Sequence, residues 1–322
     1  MNLSKLFKHF PPPKFLDIPY AGLSIHDTAV RVIEFAKRDG GLYISKYSEK
    51  SLPAGVITSG EVNNKEELTK VLVALKRELN LNYVKVSIPE EKAYLFTAKI
   101  SVVPLGTVKT EVEEKIEENV PVPPGELIFD YKVVDDTQKD FLRVVVSNLP
   151  ISVADTYVSI ITEAGLTPLS LEIESQAIVR SLVMEHDNDT VLIVNFAKGK
   201  AGLYVANRRM VHFTSTIQMS GESESDLDLL SHEIKKLYTY WHTLKENSDK
   251  PERRIQEIII CGEDISDSVM PYLSTHHNTK ATLANVWVNS FDINDTVPQI
   301  DFNSSLKFPA TIGLALHSKI LI

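Results

Sequence analysis

Two lysines that flank a glycine, Lys198 and Lys200 around Gly199, are the residues whose types and spacing most directly suggest chemistry. Glycine lets backbone N–H groups approach a ligand closely, and lysine ammonium groups neutralise oxyanions, so this triplet could contact phosphate. Ser24 and Asn195 end other strand-like segments and could reach the same ligand through water. A phosphate or nucleotide site is therefore one hypothesis.

Other motifs that carry chemistry are missing from the sequence. It has no Gly-x-x-x-x-Gly-Lys-Ser/Thr loop, no Cys-x-x-Cys, no His-Glu-x-x-His and no nucleophile elbow. His276 and His277 are adjacent in a polar segment without a third spaced ligand, so we interpret them as surface histidines. Cys261, the single cysteine, ends an apolar run and is interpreted as a small buried hydrophobe. We therefore assign no catalytic residue and no metal site.

The composition is that of a soluble globular protein with room for two domains. The chain has 322 residues, 43% hydrophobic and 24% charged, and a formal net charge of −9. This charge argues against general nucleic-acid binding. One cysteine allows no internal disulfide and fits a reducing cytoplasm. No apolar run approaches the roughly 20 residues that span a bilayer, so any membrane connection is expected to be indirect.

Two hairpins must position the candidate residues. Residues 22–35 alternate apolar and small residues, cross a polar corner and resume as a second strand, and residues 191–205 have the same form. Residues 20–88, which begin with the first hairpin, predict a hairpin, a third strand, a helix and a strand, and this order is typical of an α/β lobe. Asn64 has the spacing of a capping-box residue for the helix.

Residues 92–166 change character and predict a small α+β unit. The pattern gives a strand, an acidic helix over 107–119, a strand pair, and a helix that Ser152 caps and Gly165 ends. Later in the chain, Ser225 is expected to open a long helix with a buried stripe that includes Trp241. The leader, residues 1–19, is interpreted as a frayed terminus, with a short docking helix as the alternative.

The first hairpin resembles the pattern Gly-x-Asp-Ile-Gly-Ser-x-x-Val-Lys-Val-Val-Glu of the PilM family, which belongs with FtsA to the actin-like ATPase superfamily. Further segments resemble that family as well: Glu-Asn-Val-Pro-Val-Pro at 118–123, Ala-Gly-Leu-Thr-Pro-Leu at 164–169 and Leu-Glu-Ile-Glu-Ser-Gln-Ala at 171–177. The end of the chain, without the amphipathic helix of FtsA, favours PilM.

The resemblance implies an α/β, actin-like (ribonuclease H-like) two-lobed fold. An α+β subdomain would be inserted in the first lobe, and the closing subdomain of the second lobe would be reduced, because residues 217–222 run almost directly into the next helix. The implied divisions are a leader (1–19), a first-lobe core (20–91 and 167–188), an insert (92–166), a second lobe (189–308) and a closing helix that returns to the first lobe (309–322).

The nucleotide-binding positions of that superfamily are poorly matched. Ser24 and Asn195 stand where the family has Mg²⁺-linked aspartates, and His26 and Ala197 stand where it has glycines. In the turn that faces the nucleoside, Glu263 replaces a small residue. The resemblance thus implies a degenerate nucleotide site, formed by Ser24, His26, Asp27, Asn195, Ala197, Lys198, Gly199, Gly262 and Glu263. No cofactor is expected, with ATP and Mg²⁺ as the alternative.

The function implied is that of a cytoplasmic scaffold, peripheral on the inner face of the cytoplasmic membrane, in a type IV pilus, competence or type II secretion machine. It would bind the cytoplasmic tail of a PilN-like membrane protein in a groove between the first lobe and the insert. The expected walls are Val84, Val86, Ile88, Tyr94, Phe96, Ile100, Tyr157 and Ile161. The alternatives are a nucleotide-switching ATPase and a cell-division anchor of the FtsA type.

Overall fold

The structure, a computed structural model, describes residues 18–38, 41–103, 107–135, 141–220, 223–244, 247, 253–293 and 296–316. Residues 1–17 of the expected leader and 317–322 of the expected closing segment lie outside the described residues. Within the described ranges, no helix combines the length and the apolar composition needed to cross a bilayer.

The first lobe is built on a mixed sheet. Its described strands are β1 (Ala21–Ile25), β2 (Ala29–Arg38), β3 (Gly41–Ser51), β6 (Tyr83–Ile88) and β10 (Thr167–Ile173). They lie in the order β10-β6-β1-β2-β3, with β1 antiparallel to β2 and parallel to β6. A short ladder of β4 (Ile57–Thr58) and β5 (Glu61–Val62) precedes helix α1 (Lys65–Leu79).

Local sequence explains α1 well. The Asn64 side chain accepts a hydrogen bond from the Glu67 backbone N–H at 3.0 Å, which satisfies one of the free donors at the start of the helix. Leu68, Leu72 and Leu75 recur on one face and are buried in the core of the first lobe. The predicted cap and apolar stripe are both confirmed.

The second lobe repeats the topology of the first. Its described strands are β11 (Thr190–Ala197), β12 (Lys200–Asn207), β13 (Met210–Gln218), β14 (Ile255–Gly262) and β15 (Lys280–Leu283). They lie in the order β13-β12-β11-β14-β15, again with an antiparallel hairpin that continues into parallel strands. The two predicted hairpins are therefore equivalent elements of two equivalent sheets.

Two helices of the second lobe are α5 (Ser223–Thr243) and α6 (Val269–His277). Helix α5 begins at Ser223, so Ser225 lies inside its first turn and does not open the helix as predicted. The predicted stripe is confirmed, since Leu230, Ile234 and Trp241 are buried in one core with both strands of the hairpin.

The insert contains β7 (Tyr94–Ser101), α2 (Val108–Asn119), β8 (Leu127–Asp135) and β9 (Phe141–Pro150). Its sheet has the order β7-β9-β8, and α2 covers one face through Val112 and Ile116. Strand β7 also contacts β13 of the second lobe.

The helix that follows β9, α3 (Ile151–Glu163), differs from its prediction in two ways. Pro150 is its N-cap and makes no side-chain capping hydrogen bond, and Ser152 lies inside the first turn. Its buried residues Tyr157 and Ile161 pack into the core of the first lobe, not into the insert.

The two lobes share a continuous core around helices α4 (Glu174–Leu182) and α8 (Pro309–Ala315), the latter preceded by the short α7 (Phe302–Ser305). α8 packs against α4 and against β1 of the first lobe. At Gly313 the approach is so close that an added Cβ would lie 1.8 Å from the Ala177 carbonyl oxygen. Cys261 is buried in this shared core, as predicted.

Candidate functional site

The first hairpin turn directs its polar groups into the protein. Ser24 is fully buried, and its hydroxyl is hydrogen-bonded to the Thr311 hydroxyl of α8 at 2.8 Å. Two positions earlier, a Cβ on Gly22 would lie 2.1 Å from the Thr311 carbonyl oxygen. The hydroxyl at the position of the superfamily aspartate is therefore used to hold the closing helix.

Asp27, at the corner of the same hairpin, accepts three hydrogen bonds. Its carboxylate oxygens receive the backbone N–H groups of Ser59 at 2.9 Å and Gly60 at 3.0 Å, and Lys200 Nζ at 3.0 Å. Burial raises the pKa of Asp27, but the Gly60 hydrogen bond and the charge of Lys200 outweigh it and hold that pKa below its usual value.

Lys200 connects the two lobes. It opens β12 in the second lobe, and its ammonium group forms ion pairs with Asp27 and with Glu91, which lies in a 3₁₀ turn after β6 of the first lobe. Lys198, two positions earlier, is exposed in the hairpin turn and forms no ion pair with any described residue. The structure thus separates the two lysines that the sequence placed together.

A second pair across the lobes was missed by the sequence analysis. Arg31 of β2 is buried, and its guanidinium donates to Glu49 at 2.8 Å and to Glu263 in the turn after β14. In that turn Gly262 has φ +110°, and a Cβ there would lie 2.0 Å from the Phe196 carbonyl oxygen. A charged residue between Val30 and Val32 in an apolar strand was the available indication of a buried pair.

Two buried carboxyl groups lie between these ion pairs. Glu174 opens α4 and accepts from Asn195 Nδ2 at 3.2 Å, and Glu90 accepts from the Ser175 backbone N–H at 3.1 Å. Burial raises the pKa of Glu174 to about 8 and that of Glu90 to about 7. His26 lies 3.5 Å from Glu174, and burial followed by the charge of Arg31 lowers the pKa of its imidazole. Neither glutamate was predicted as a site residue.

The remaining predicted positions have structural roles. Ala197 ends β11, Gly199 makes the hairpin turn with φ +73°, and Cys261 lies 3.6 Å from Asn195 Oδ1. His276 stacks on Tyr272 at the surface of the second lobe. Among the described residues, no three His, Cys, Asp or Glu side chains are arranged to hold a metal ion.

Replacement of Glu174 by glutamine is expected to flatten the dependence of stability on pH. A carboxyl group whose folded pKa is raised from 4.5 to about 8 stabilises the folded protein most below pH 4.5 and loses that contribution as pH rises to 8. Glutamine keeps the oxygen that accepts from Asn195 and has no charge to desolvate. The variant should gain roughly 3–4 kcal/mol over the parent between pH 5 and pH 8, since one pKa unit corresponds to about 1.4 kcal/mol.

Urea unfolding at pH 5, 6, 7 and 8 measures this difference. Glu163→Gln is the control, because Glu163 is exposed on α3. Parallel stability–pH curves for the parent and Glu174→Gln would show that Glu174 is solvated, contrary to its burial here.

A separate cavity of about 1070 Å³ lies between the first lobe, the insert and the second lobe. We call it the groove. Its insert wall is formed by β8 and β9, with Ile128, Val145 and Leu149, and its first-lobe wall is β10 with Leu171. Both β8 and β10 are edge strands, each paired on one side only within the described part of the chain.

Most of the predicted groove walls are not in this cavity. Val84, Val86, Tyr157 and Ile161 are buried in the first-lobe core, because β6 is paired on both sides and α3 covers it. On the insert sheet, three predicted residues pack towards α2 instead, namely Tyr94, Phe96 and Ile100. Only Ile88 of the predicted set lines the groove. Of the elements chosen as walls, β6 reaches the groove through Ile88, whereas β7 and α3 contribute none of its described lining residues.

Comparison with known proteins points to one family. A family model described as type IV pilus assembly protein PilM matches residues 22–224. A chain of the PilM–PilN type IV pilus biogenesis complex is 14% identical, with a TM-score of 0.76, 92% of this chain covered and 98% of that chain. No curated protein matches the chain in sequence.

Other solved structures are more distant. The ethanolamine utilization protein EutJ from Carboxydothermus hydrogenoformans is 12% identical, with a TM-score of 0.49 and coverage of 95% of this chain and 90% of that chain. MreB 5 of Spiroplasma citri bound to AMPPNP is 9% identical, with a TM-score of 0.48 and coverage of 91% and 94%. Of the three structures, the PilM–PilN chain is similar enough to indicate a shared fold.

Proposed function

The chain belongs to the PilM family of type IV pilus assembly proteins, and we propose that it works as a scaffold that binds a partner's tail without using ATP. The partner is the cytoplasmic tail of a PilN-like protein of the inner membrane. The scaffold would then sit in the cytoplasm, held against the membrane by that tail.

The observation that carries this proposal is the groove between two free strand edges. Within the described residues β8 and β10 are each paired on one side only, so a strand added in the groove could pair with either edge, and apolar side chains on both walls offer pockets. The solved structure with a TM-score of 0.76 is a chain of a PilM–PilN complex, and this supports a tail of this kind as the occupant. An extended segment of a few residues would fill the cavity.

The proposal that ATP is not used rests on the contacts at the two hairpins. Asp27 is fully engaged by backbone N–H groups and Lys200, so it is not free to hold a hydrated Mg²⁺. Glu91 lies beside the turns, paired with Lys200, and its carboxylate would repel a phosphate chain. Ser24 points to Thr311. These residues do not fit a magnesium nucleotide, and we derive no step through one.

Binding of the tail is tested with Ile128→Asp. Ile128 is 52% exposed on the groove wall, and a charge there would have to be desolvated on binding. Affinity capture from native membranes should retain an inner-membrane protein with a short cytoplasmic tail on the parent. A synthetic peptide of that tail should bind the variant at least tenfold more weakly in fluorescence anisotropy.

Leu229→Asp is the matched control. Leu229 is 39% exposed on α5, outside the groove, so its replacement introduces the same charge without touching the proposed site. Equal loss of binding in both variants, or none in Ile128→Asp, would contradict the assignment of the groove.

We expect Mg-ATP at millimolar concentration to bind at most weakly in titration calorimetry. We also expect no ATP hydrolysis. A micromolar dissociation constant, about −8 kcal/mol, would overturn the proposal that the site is degenerate. If Mg-ATP also changed the affinity for the tail tenfold, about 1.4 kcal/mol of coupling, the nucleotide-switching alternative would be favoured.

A further inference from the structure

The second lobe contributes a two-residue turn to the rim of the groove. Arg208 and Arg209 connect β12 to β13, and both have positive φ, +51° and +60°. Such turns favour Asn-Gly or Gly-Gly, because the left-handed conformation costs an L-residue roughly 1–2 kcal/mol. Backbone conformation therefore gives no reason for arginine at either position.

Arg209 has a structural role that accounts for it. Its guanidinium donates to the Arg180 carbonyl oxygen at 2.9 Å, and its own carbonyl oxygen accepts from Gln176 at 2.9 Å. These bonds fix the turn of the second lobe to α4. Arg209 is partly buried, and this burial lowers the pKa of its guanidinium.

Arg208 has no such role. It is exposed, it lines the groove, and no residue in the described ranges forms an ion pair or hydrogen bond with its side chain. The neighbouring turn contacts hold its backbone in place, so the side chain extends from a fixed point of the rim.

The groove as a whole differs in charge from the rest of the protein. Among its described lining residues, five are cationic and three are anionic, on a chain of net charge −9. One of the anions, Glu172, is already paired with Arg180. Lys132 is exposed on β8, across the groove from the second lobe. An occupant with a negative charge is therefore favoured over a neutral or basic one.

We propose that Arg208 binds an aspartate or glutamate of the extended segment that occupies the groove. The proposal rests on the proposed function, since it names the chemistry of the partner that the groove accepts. The planar guanidinium donates two parallel hydrogen bonds to a carboxylate, which gives this contact both affinity and register. The two free strand edges select an extended apolar segment, and Arg208 selects an acidic residue at one position of it.

A library of random eight-residue peptides displayed on phage tests this without knowledge of the partner. Selection on the parent should enrich peptides with Asp or Glu at one fixed position at least tenfold. Arg208→Gln should lose that preference, and Arg208→Glu should enrich Lys or Arg at the same position. Both changes are at an exposed turn residue, and thermal denaturation checks that the variants fold. Lys198→Glu, at an exposed lysine outside the groove, is the control and should select as the parent does.

Fluorescence anisotropy with one selected peptide measures how much this contact contributes to the affinity. Exchange of its Glu for Gln should weaken binding to the parent about tenfold, and binding to Arg208→Gln less than twofold. Enrichment of peptides that are neutral at every position, or an acidic preference retained by Arg208→Glu, would overturn the role of Arg208 while the groove stands. If Ile128→Asp leaves the binding of all selected peptides unchanged, the proposed function fails, and this inference with it.

Discussion

Replacement of Gly313 by alanine is expected to destabilise the protein by at least about 3 kcal/mol, the upper part of the range for overpacked sites. The added methyl would lie 1.8 Å from the Ala177 carbonyl oxygen and 2.6 Å from its carbon, so the backbones of α8 and α4 would have to separate. All residues of α8 are buried between the lobes, so the strain cannot be relieved towards solvent. The gain in helix propensity from Gly to Ala, about 1 kcal/mol, is smaller than this cost.

Urea unfolding followed by circular dichroism measures the change. Gly125→Ala is the matched control, because an added Cβ there meets no atom within 4 Å, and its midpoint should move little. An unchanged midpoint for Gly313→Ala would mean that the helices are further apart than described here.

Replacement of Trp241 by alanine is expected to cost roughly 3–5 kcal/mol, as large core truncations do. Trp241 is 5% exposed in the core of the second lobe, and its indole Nε1–H donates to the Arg253 carbonyl oxygen at 2.6 Å. Alanine leaves both a cavity and an acceptor without its donor. The loss should appear in the unfolding midpoint of the intact protein.

Tyr240→Ala serves as the control for Trp241→Ala. Tyr240 is the preceding residue on α5 but is 50% exposed, with its ring 5.4 Å from that of Phe213. Its replacement is expected to cost less than about 1 kcal/mol, because little apolar area leaves water on folding. Equal losses for the two variants would mean that the register of α5 is wrong.

The fold class could be predicted because it is encoded locally and twice. Each lobe begins with a hairpin whose alternation is visible in the sequence, and both hairpins, residues 22–35 and 191–205, lie within the residues that the family model matches. The actin-like fold and the family are confirmed. Helix stripes such as that of α5 were found for the same reason, because period and length together separate a helix from a strand.

The face of a strand that lines a cavity could not be predicted in the same way. In β8, Leu127 packs towards α2, whereas Ile128 and Lys132 line the groove, and apolar residues occur in both positions. Alternation gives the two faces but does not say which neighbour covers each. On β6, Val84 and Val86 lie on the apolar face that residues of α1 and α3 cover, so they are core residues and not walls.

The ion pairs between the lobes were missed because their partners are far apart in sequence. Arg31 and Glu263 are separated by 232 positions, and Lys200 and Asp27 by 173. Single residues of opposite charge in distant segments carry no pairing information in one sequence. The burial of an acid such as Glu174 could not be predicted either, since its neighbours in the chain give no indication of it.

The hydrogen bond between the Tyr20 hydroxyl and the Leu316 carbonyl oxygen, 3.3 Å long, brings the first and last parts of the described fold together. Leu316 also lines the groove, and Lys85 lies over the Tyr20 ring at 4.4 Å. A bulky fusion joined close to Leu316 would therefore stand beside the groove and compete with whatever enters it.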